Sequence, residues 1–590
     1  MKYDKSTVIG VAVCVILLLM WSPIMRFMGW SSQTPRQSEP TEEQAAGETD
    51  PPPQRASRET PPVLEQESQS DQPVEAPDAV AFEPPEETME LVLPDVFSAV
   101  INARTGGIVS VELLQYKTDD RKHNVVLGRP RYPLAAVVPS SLGSELIQPQ
   151  LTQPDNRTIV LRRSTADGGM LVAETWKVHP DEPYALTYSI GIRNSSDEPL
   201  DVDGLAISCG SLASSRSAER SGRLAGGREG AVDLMFMNEK RPKTLQVKDV
   251  KKLDPEEAAE LVNRDVEWIA VHSKYFLYFA AATDASFTGC TVGMEKAENL
   301  GDKGAYLRSA AILRPTQVPP GKQVTWNLTC YAGPKEYARL QQLGRNAESI
   351  MRLDLFLFWH PAWMGFISKL ILTSLTGLND FFNHSWGYGF AIIIVTMVVK
   401  TLFWPLTHRS TVSMRKMQKI QPEIQALREK YKDQPEKMNR KMMELYKEYK
   451  VNPLGGCLPI LFQIPVFFAL FNTLRGAIEL RHAGFLWVQD LSMPDTLAFS
   501  PEWLPIRPLA ILMALSMLAQ QKMMPSSANP QQSRMMMFMS VFFLFIFYSM
   551  PAGLTLYWTV NQILTIGQNL VTKRLDNDDT AAKAPQPAKT

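Results

Sequence analysis

The most constraining feature of this chain is a series of apolar runs in its C-terminal third. A bilayer core about 30 Å thick is crossed by about 20 apolar residues in a helix, and runs of roughly this length recur here with short polar breaks. Prolines that interrupt some of the runs are tolerated in membrane helices. We predict five transmembrane helices, at 388–406, 454–474, 504–520, 535–550 and 554–571.

The distribution of basic residues predicts how these helices are oriented. The segment 407–452 holds twelve basic and six acidic residues, an excess that is typical of a cytoplasmic loop. Lys522 and Arg534 flank a second short cytoplasmic loop, and Lys573 and Arg574 end the last helix on the same side. The formal net charge of −1 hides this segregation and argues against a bulk nucleic-acid binder. No nucleic-acid specificity is therefore expected.

The N-terminus carries one more apolar run, followed by an acidic segment. Residues 8–25 are almost wholly apolar after Lys2 and Lys5, and the run ends without the small residues of a cleavage site. We predict an uncleaved transmembrane anchor at 1–28. The proline-rich, acidic residues 29–92 predict a disordered linker. The six predicted spans then place both termini, including the tail 576–590, in the cytoplasm.

Residues 93–352 show a different pattern, with short alternating runs separated by turn signals, as at 108–113 and 184–190. Many short strands in one segment predict a large antiparallel β-sandwich, which the predicted topology places outside the cytoplasm. Three cysteines, Cys209, Cys290 and Cys330, match no metal or nucleophile pattern, and a bridge between Cys290 and Cys330 stays open. A binding or scaffolding domain without catalysis is expected.

The five-helix membrane core is predicted over 353–575 and contains two further features. Residues 355–378 mix aromatic side chains with Lys369, which favours a helix lying in the membrane interface. The cytoplasmic segment 407–452 predicts a helical hairpin with its turn before Pro435. A basic surface rich in methionine adapts to varied apolar clients and to anionic lipid. The residues predicted to capture clients are Arg415, Lys416, Lys419, Met414, Met417 and Met442.

Polar residues inside the predicted spans indicate a functional site, because an ionisable group at membrane depth is costly. Lys400 is the clear case, and Thr396 lies one helical turn before it. No acidic partner for a proton relay is visible in the sequence. We therefore predict a hydrated cavity open to lipid on one side. One further lining residue, Gln463, lies in the span 454–474. The others share one face of the last span: Tyr557, Asn561, Thr565 and Gln568.

Several motifs resemble the YidC/Oxa/Alb family of membrane protein insertases. The segment 452–459, Asn-Pro-Leu-Gly-Gly-Cys-Leu-Pro, is similar to the family signature, together with Gln463 and Pro465. Residues 404–407, 421–424 and 551–558 resemble the start of its cytoplasmic hairpin and the entry to its last span. The anchor and the large sandwich resemble the Gram-negative YidC type.

This resemblance implies a Gram-negative inner-membrane insertase whose large domain is periplasmic. It implies a groove open to cytoplasm and lipid, with Lys400 at a position where the relatives usually have arginine and Trp558 where they often have tyrosine. The implied partners are nascent inner-membrane proteins, the Sec translocon, the lipid bilayer and, through the cytoplasmic loops, the ribosome. No enzymatic activity, cofactor or metal is expected.

Two other classes compete with this interpretation. A secondary transporter or channel would be expected to show inverted repeats or paired intramembrane charges, and the sequence has neither. A membrane-anchored sugar-modifying enzyme rests on the sandwich fold alone, and a fold is weak evidence for chemistry. Titrating the sandwich domain with sugars would separate the second alternative from an insertase.

Overall fold

The computed structural model describes an all-antiparallel β domain followed by a helical domain. The described residues are 88–128, 132–138, 142, 145–179, 182–214, 232–238, 241–250, 265–283, 287–296, 305–356, 361–384, 386–449, 458–497, 499–501, 505–523 and 530–582. The predicted anchor at 1–28 and almost all of the predicted linker at 29–92 lie outside these ranges. So do most of the signature segment 452–459 and the end of the tail.

Two sheets form the β domain, which confirms the prediction of antiparallel strands. In the described residues the first sheet has the order β1-β2-β3-β5-β11-β17-β16, with β4 paired to β3. Its strands are β1 (Thr88–Leu93), β2 (Phe97–Asn102), β3 (Ile108–Lys117), β4 (Asn124–Leu127), β5 (Leu134–Val137), β11 (Ala206–Ser214), β16 (Gly289–Lys296) and β17 (Ala305–Ile312).

The second sheet has the order β13-β12-β14-β15-β19-β9-β8-β7-β6. Its strands are β6 (Leu146–Asp155), β7 (Thr158–Thr165), β8 (Met170–Val178), β9 (Ala185–Asn194), β12 (Asp233–Asn238), β13 (Arg241–Gln246), β14 (Trp268–His272), β15 (Phe276–Ala282) and β19 (Gln323–Pro334). A separate pair joins β10 (Leu200–Val202) to β18 (Thr316–Val318), and a single helical turn, α1 (Val247–Val250), follows β13.

The two sheets share one core, to which each contributes the apolar side chains of alternate residues. Strand β8 shows this period of two along Met170–Val178, where buried and more exposed residues alternate. The Trp176 indole on β8 donates a 3.0 Å hydrogen bond to the Ala135 carbonyl on β5, which ties the second sheet to the first. Among the described residues no disulfide is present: Cys290 lies on β16 and Cys330 on β19, in different sheets.

Strands β14 and β15 depart from this alternation, because every residue in both is buried. The connector that leaves β19 lies against them; it contains α2 (Tyr337–Gln342) and a 3₁₀ helix at Ala347–Met351. The Arg345 carbonyl in this connector accepts a 2.9 Å bond from the Trp268 indole, and its guanidinium donates to the Thr283 carbonyl at 2.8 Å. The connector therefore covers the strands on their second face.

The helical domain contains nine helices within the described residues. They are α3 (Ala362–Phe382), α4 (Gly387–Leu402), α5 (Trp404–Lys419), α6 (Gln421–Lys430), α7 (Pro435–Glu448), α8 (Leu458–Gly476), α9 (Pro508–Met523), α10 (Pro530–Phe547) and α11 (Ala552–Ala582). The helix predicted at 355–378 thus corresponds to α3, and the predicted hairpin at 407–452 to α5, α6 and α7. Helix α11 extends well past the predicted span 554–571.

By length and hydropathy, no single described helix meets the criteria for a membrane span. Helices α4 and α5 meet them only as a pair, with a bend of 60° between the two.

The β domain and the helices are joined by a shared apolar core and by polar contacts. The Asn472 amide on α8 donates to the Leu355 carbonyl at 2.5 Å, and the Thr473 hydroxyl donates to the Ser368 carbonyl on α3 at 3.2 Å. The Phe356 ring packs against Phe468 of α8, with 5.3 Å between the ring centroids. These contacts fix the end of the connector to α3 and α8.

A buried carboxyl lies just after α8, and it predicts a pH-dependent stability. Burial raises the pKa of Glu479 to about 7, with a smaller contribution from the negative charge of Glu336. The Oε2 atom of Glu479 is buried and accepts no hydrogen bond from the described residues. The folded state therefore binds a proton more tightly than the unfolded state, in which this carboxyl has its ordinary pKa of 4.5.

The free energy of unfolding should consequently fall as the pH rises from the unfolded pKa to the folded one, by up to about 3 kcal/mol. Replacing Glu479 by glutamine should remove this dependence and stabilise the protein at alkaline pH. Thermal unfolding of the purified protein across this pH range measures it, with Glu429→Gln on the exposed hairpin as control. Equal pH profiles for Glu479→Gln and the wild type would contradict the prediction.

Candidate functional site

A bend between α4 and α5 positions the candidate site. Pro405 lies in the first turn of α5, where a residue without an N–H group is tolerated, and it interrupts the hydrogen bonding between the two helices. The 60° bend directs α5 away from the axis of α4. Lys400 lies in the last turn of α4, just before the bend, and Thr407 lies just after it. Both residues contact α11.

The ammonium of Lys400 is held by two side chains of α11. It donates to the Thr565 hydroxyl oxygen at 2.7 Å and to the Asn561 amide oxygen at 3.3 Å. The Thr565 hydroxyl itself donates to the Asn561 carbonyl at 2.7 Å, which leaves its lone pairs free to accept from Lys400. Within the described residues no carboxylate forms an ion pair with this ammonium. Lys400 is thus a charge solvated by neutral oxygens.

The polar face predicted on the last span is shared among three neighbouring helices. Tyr557 accepts a hydrogen bond from the Gln463 amide on α8. Asn561, one turn further along α11, contacts Lys400. Gln568 lies two turns beyond Asn561, and its amide donates to the Thr407 hydroxyl on α5 at 2.9 Å. The spacing of four and three residues places these side chains in one row along α11. The row therefore connects α8, α4 and α5.

Two other predicted groove residues lie in different surroundings. Thr396 is buried, and its hydroxyl donates to the Ile392 carbonyl of its own helix at 2.6 Å. Trp558 lies among aromatic rings of α8 and α10, with 5.4 Å between its centroid and that of Phe467 and 5.1 Å to that of Phe547. Its indole nitrogen is buried without a hydrogen-bond partner among the described residues. Trp558 therefore forms an apolar wall beside the polar row.

The residues predicted to capture clients divide into two groups. Lys416 and Lys419 are exposed on α5. Met417 and Met442 pack inside the hairpin against the small apolar core of Ile420 and Ile424. The side chain of Met414 lies outside the described part of the structure.

Arg415 also turns inward, toward α11. Its guanidinium donates to the carbonyls of Asn569 and Thr572 at 2.9 Å and 2.8 Å. Together with the bond between Thr407 and Gln568, this contact holds one face of α5 along α11. The motif at 404–407 includes Thr407, but the sequence indicated neither its contact with Gln568 nor the anchoring contact of Arg415. The only available signal was their spacing of eight residues, two turns of the same helix face.

Replacing Arg415 by alanine should release the hairpin from α11. Hydrogen bonds from a charged donor contribute about 1.5–3 kcal/mol. The two carbonyls keep their bonds within α11 after the substitution and are not left unsatisfied, so we expect the local stability of the hairpin to fall by about 2 kcal/mol. Cleavage of the reconstituted protein by a glutamate-specific protease should become about thirtyfold faster at the hairpin glutamates. Lys416→Ala is the matched exposed control, and equal cleavage of both variants would contradict the anchoring role.

Two protein-family profiles match nearly all of the described chain. The family described as "YidC periplasmic domain" matches residues 92–374, and the family described as "60Kd inner membrane protein" matches residues 378–579. The boundary between them lies within α3.

Curated relatives match over different lengths. The membrane protein insertase YidC of Oleidesulfovibrio alaskensis is 32% identical over 96% of this chain and 98% of its own length. The protein of the same name from Pelobacter propionicus is 44% identical, over 55% of this chain and 57% of its own length. A crystal structure of an active YidC insertase with its first transmembrane domain resolved is 20% identical, covers 83% of this chain and 93% of its own, and has a TM-score of 0.34.

Proposed function

The chain belongs to the YidC family of membrane protein insertases, and from this premise we propose that it inserts its clients through a hydrated groove beside Lys400. It is an insertase of inner-membrane proteins and not an enzyme. The observation that supports the groove is the ammonium of Lys400, which neutral oxygens of α11 hold without a carboxylate partner among the described residues. Such a charge attracts an acidic segment of a client.

The proposed topology has six transmembrane spans. One is the N-terminal anchor at 1–28, and the others correspond to α4, α8, α9, α10 and α11, with both termini and the hairpin in the cytoplasm. Exposed apolar side chains on α9 and α10 support contact with lipid: Ile511, Leu512, Leu515 and Leu518 on the first, Met537, Phe538, Val541, Phe542 and Phe545 on the second. In this orientation the β domain lies in the periplasm.

The proposed mechanism has four steps. Exposed basic residues of the hairpin, including Lys416 and Lys419, first attract the client and anionic lipid. Lys400 and the polar row of α11 then admit a hydrophilic segment, which lowers the cost of bringing polar backbone into the bilayer. The client span slides along the outer faces of α8 and α10, beside the apolar wall that Trp558 of α11 forms with Phe467, and finally partitions into lipid.

Hydrophobic partitioning and the membrane potential are the proposed energy sources. Burial of apolar groups contributes about 0.8 kcal/mol per CH₂, and each negative charge that moves to the periplasm contributes about 2.3 kcal/mol per 100 mV. A client span of ordinary hydrophobicity therefore needs a low barrier more than an external energy source. We propose that the groove lowers this barrier with or without the Sec translocon.

A reconstituted insertion assay tests the function. The purified protein in liposomes without Sec components is given a single-span client with an acidic N-terminal tail, and the protease-protected fraction is compared with that in empty liposomes. We expect protection to rise clearly above the empty liposomes. Protection that appears only after addition of the Sec translocon would assign the chain an assisting role. Absence of protection in both conditions would contradict the proposed mechanism.

A further inference from the structure

A tight hairpin in the segment between α8 and α9 exposes two large apolar side chains at its tip. The backbones of Phe485 and Val488 bond each other in both directions, at 2.8 Å and 2.9 Å, so that Leu486 and Trp487 form a two-residue turn. Leu486 has a φ of 53°, a left-handed conformation that glycine adopts readily and leucine rarely. Its side chain is 51% exposed and that of Trp487 is 44% exposed.

The hairpin has a shaped seat on the first turn of α4. The Phe485 ring lies so close to Gly389 that a Cβ atom on this glycine would be 2.0 Å from the ring, so no other residue fits there without a shift. The same ring contacts Trp386 and Phe390, with centroids 6.1 Å and 5.5 Å away. Phe390 in turn contacts Phe382 at the end of α3, at 5.8 Å. The tip is therefore fixed where α3 ends and α4 begins.

The opposite side of the same segment is polar and docks on the β domain. Arg481 forms a 2.8 Å ion pair with Asp119, and Arg121 donates to the Gln489 carbonyl at 2.7 Å. The Arg481 guanidinium also lies 5.5 Å from the centroids of the Tyr275 and Phe276 rings. Polar contacts thus hold the segment from the side of the β domain, while Leu486 and Trp487 are exposed.

The exposed tip continues an aromatic surface at one end of the helices. Phe381, Phe382, Trp386 and Phe390 are all partly or largely exposed there. Aromatic side chains, tryptophan above all, favour the boundary between lipid headgroups and acyl chains, because one ring presents both an apolar body and a polar N–H group. In water, no burial of the Leu486 side chain would offset the cost of its left-handed backbone conformation.

We propose that Leu486 and Trp487 form a wedge that inserts into the outer leaflet of the bilayer. The proposal rests on the membrane topology given under the proposed function, which places the start of α4 at the periplasmic surface. The wedge would attach the β domain to the lipid through Arg481 and Arg121, in addition to its covalent connector. It would thereby fix the height and orientation of the β domain above the membrane.

Quenching of tryptophan emission by brominated lipids tests the wedge in the full-length protein. Liposomes contain phospholipids brominated either near the glycerol end or near the methyl end of the acyl chains. The signal of Trp487 is the difference between the wild type and Trp487→Phe. We expect this signal to be quenched at least about twofold more strongly by the shallow bromines than by the deep ones, because the ring lies at headgroup level. Leu486→Asn, which tolerates the left-handed backbone, should weaken the quenching at unchanged circular dichroism.

A second position separates failure of the wedge from failure of the topology. Phe542 lies at the middle of the proposed span 535–550 on α10 and is 43% exposed, and the added signal of Phe542→Trp should be quenched by the deep bromines. Quenching of that signal without any quenching of the Trp487 signal would overturn the wedge and leave the topology standing. Absence of quenching at both positions would overturn the topology and the wedge with it.

Discussion

Replacing Lys400 by glutamate is expected to lower the insertion of a client with an acidic tail about tenfold. Two unit charges a few ångströms apart interact by about 4 kcal/mol at the effective dielectric constant near a protein surface. A client carboxylate in a hydrated groove lies further away, so we expect its interaction energies with the wild type and with Lys400→Glu to differ by about 1.4 kcal/mol. This difference corresponds to a factor of ten in the rate of insertion. The initial rate of protease protection in liposomes measures the effect.

The charge at position 400, and not the side-chain shape, should decide the outcome. Lys400→Met keeps the length of the side chain and removes its charge, so it should lose most of the activity toward the acidic client. Lys400→Arg keeps the charge and should retain activity. A client whose tail carboxylates are replaced by amides should respond weakly to all three changes. Equal loss with the acidic and the amide clients would contradict an electrostatic role.

Lys400→Met and Lys400→Arg should remain folded, which makes this test interpretable. The partners of Lys400 are the neutral oxygens of Asn561 and Thr565, and the Thr565 hydroxyl has a further bond within α11. Removing the ammonium therefore leaves no described carboxylate buried without its counter-ion. Loss of one partner of a buried ion pair would be far more destabilising. Thermal unfolding of each variant provides the control.

The second large effect is expected in the β domain, where such an ion pair exists. Arg163 and Glu174 pair beneath the turn at 102–107, with side chains 4% and 0% exposed. Glu174 also accepts a 2.7 Å hydrogen bond from the Tyr188 hydroxyl, and Arg163 donates to the Arg104 carbonyl at 3.1 Å. Glu174→Ala would leave a guanidinium buried without its counter-ion. We expect the free energy of unfolding of the β domain to fall by about 3–5 kcal/mol.

Replacing both partners separates the cost of an unpaired charge from a general loss of packing. Arg163→Met combined with Glu174→Leu fills similar volume with apolar groups, and a buried pair replaced in this way is often neutral. We expect the double variant to recover most of the stability lost in Glu174→Ala. Urea unfolding in detergent, followed by circular dichroism, measures the stability of the full-length wild type, the single variant and the double variant. A loss below about 1 kcal/mol in the single variant would argue against the pair.

Gly106 completes this arrangement and explains why a glycine is needed in the turn. Its φ is 67°, and a Cβ atom there would lie 2.8 Å from the Arg163 guanidinium and 2.9 Å from the Glu174 carboxylate. The turn joins β2 to β3, which follow each other in the sequence. The ion pair beneath it became visible only when β7 and β8 placed Arg163 and Glu174 under the turn.

The antiparallel strands of the β domain and the polar face of the last helix could both be predicted from the sequence alone. Alternation with a period of two predicted antiparallel strands, and spacing of three and four residues placed Tyr557, Asn561, Thr565 and Gln568 in one row on α11. These are local properties, since a strand or a helix fixes the direction of each side chain relative to its neighbours in the chain. They needed no information about distant residues.

The residues that face this row follow from the packing of distant helices and could not be predicted from the sequence. The partners of Lys400 lie 161 and 165 residues further along the chain, and Gln568 meets Thr407 only because α5 bends away after Pro405. The same holds for Arg415, which was predicted to capture clients and instead contacts carbonyls of α11. Periodicity identifies a face but not its neighbour, because the neighbour is chosen by the packing of helices that are far apart in sequence.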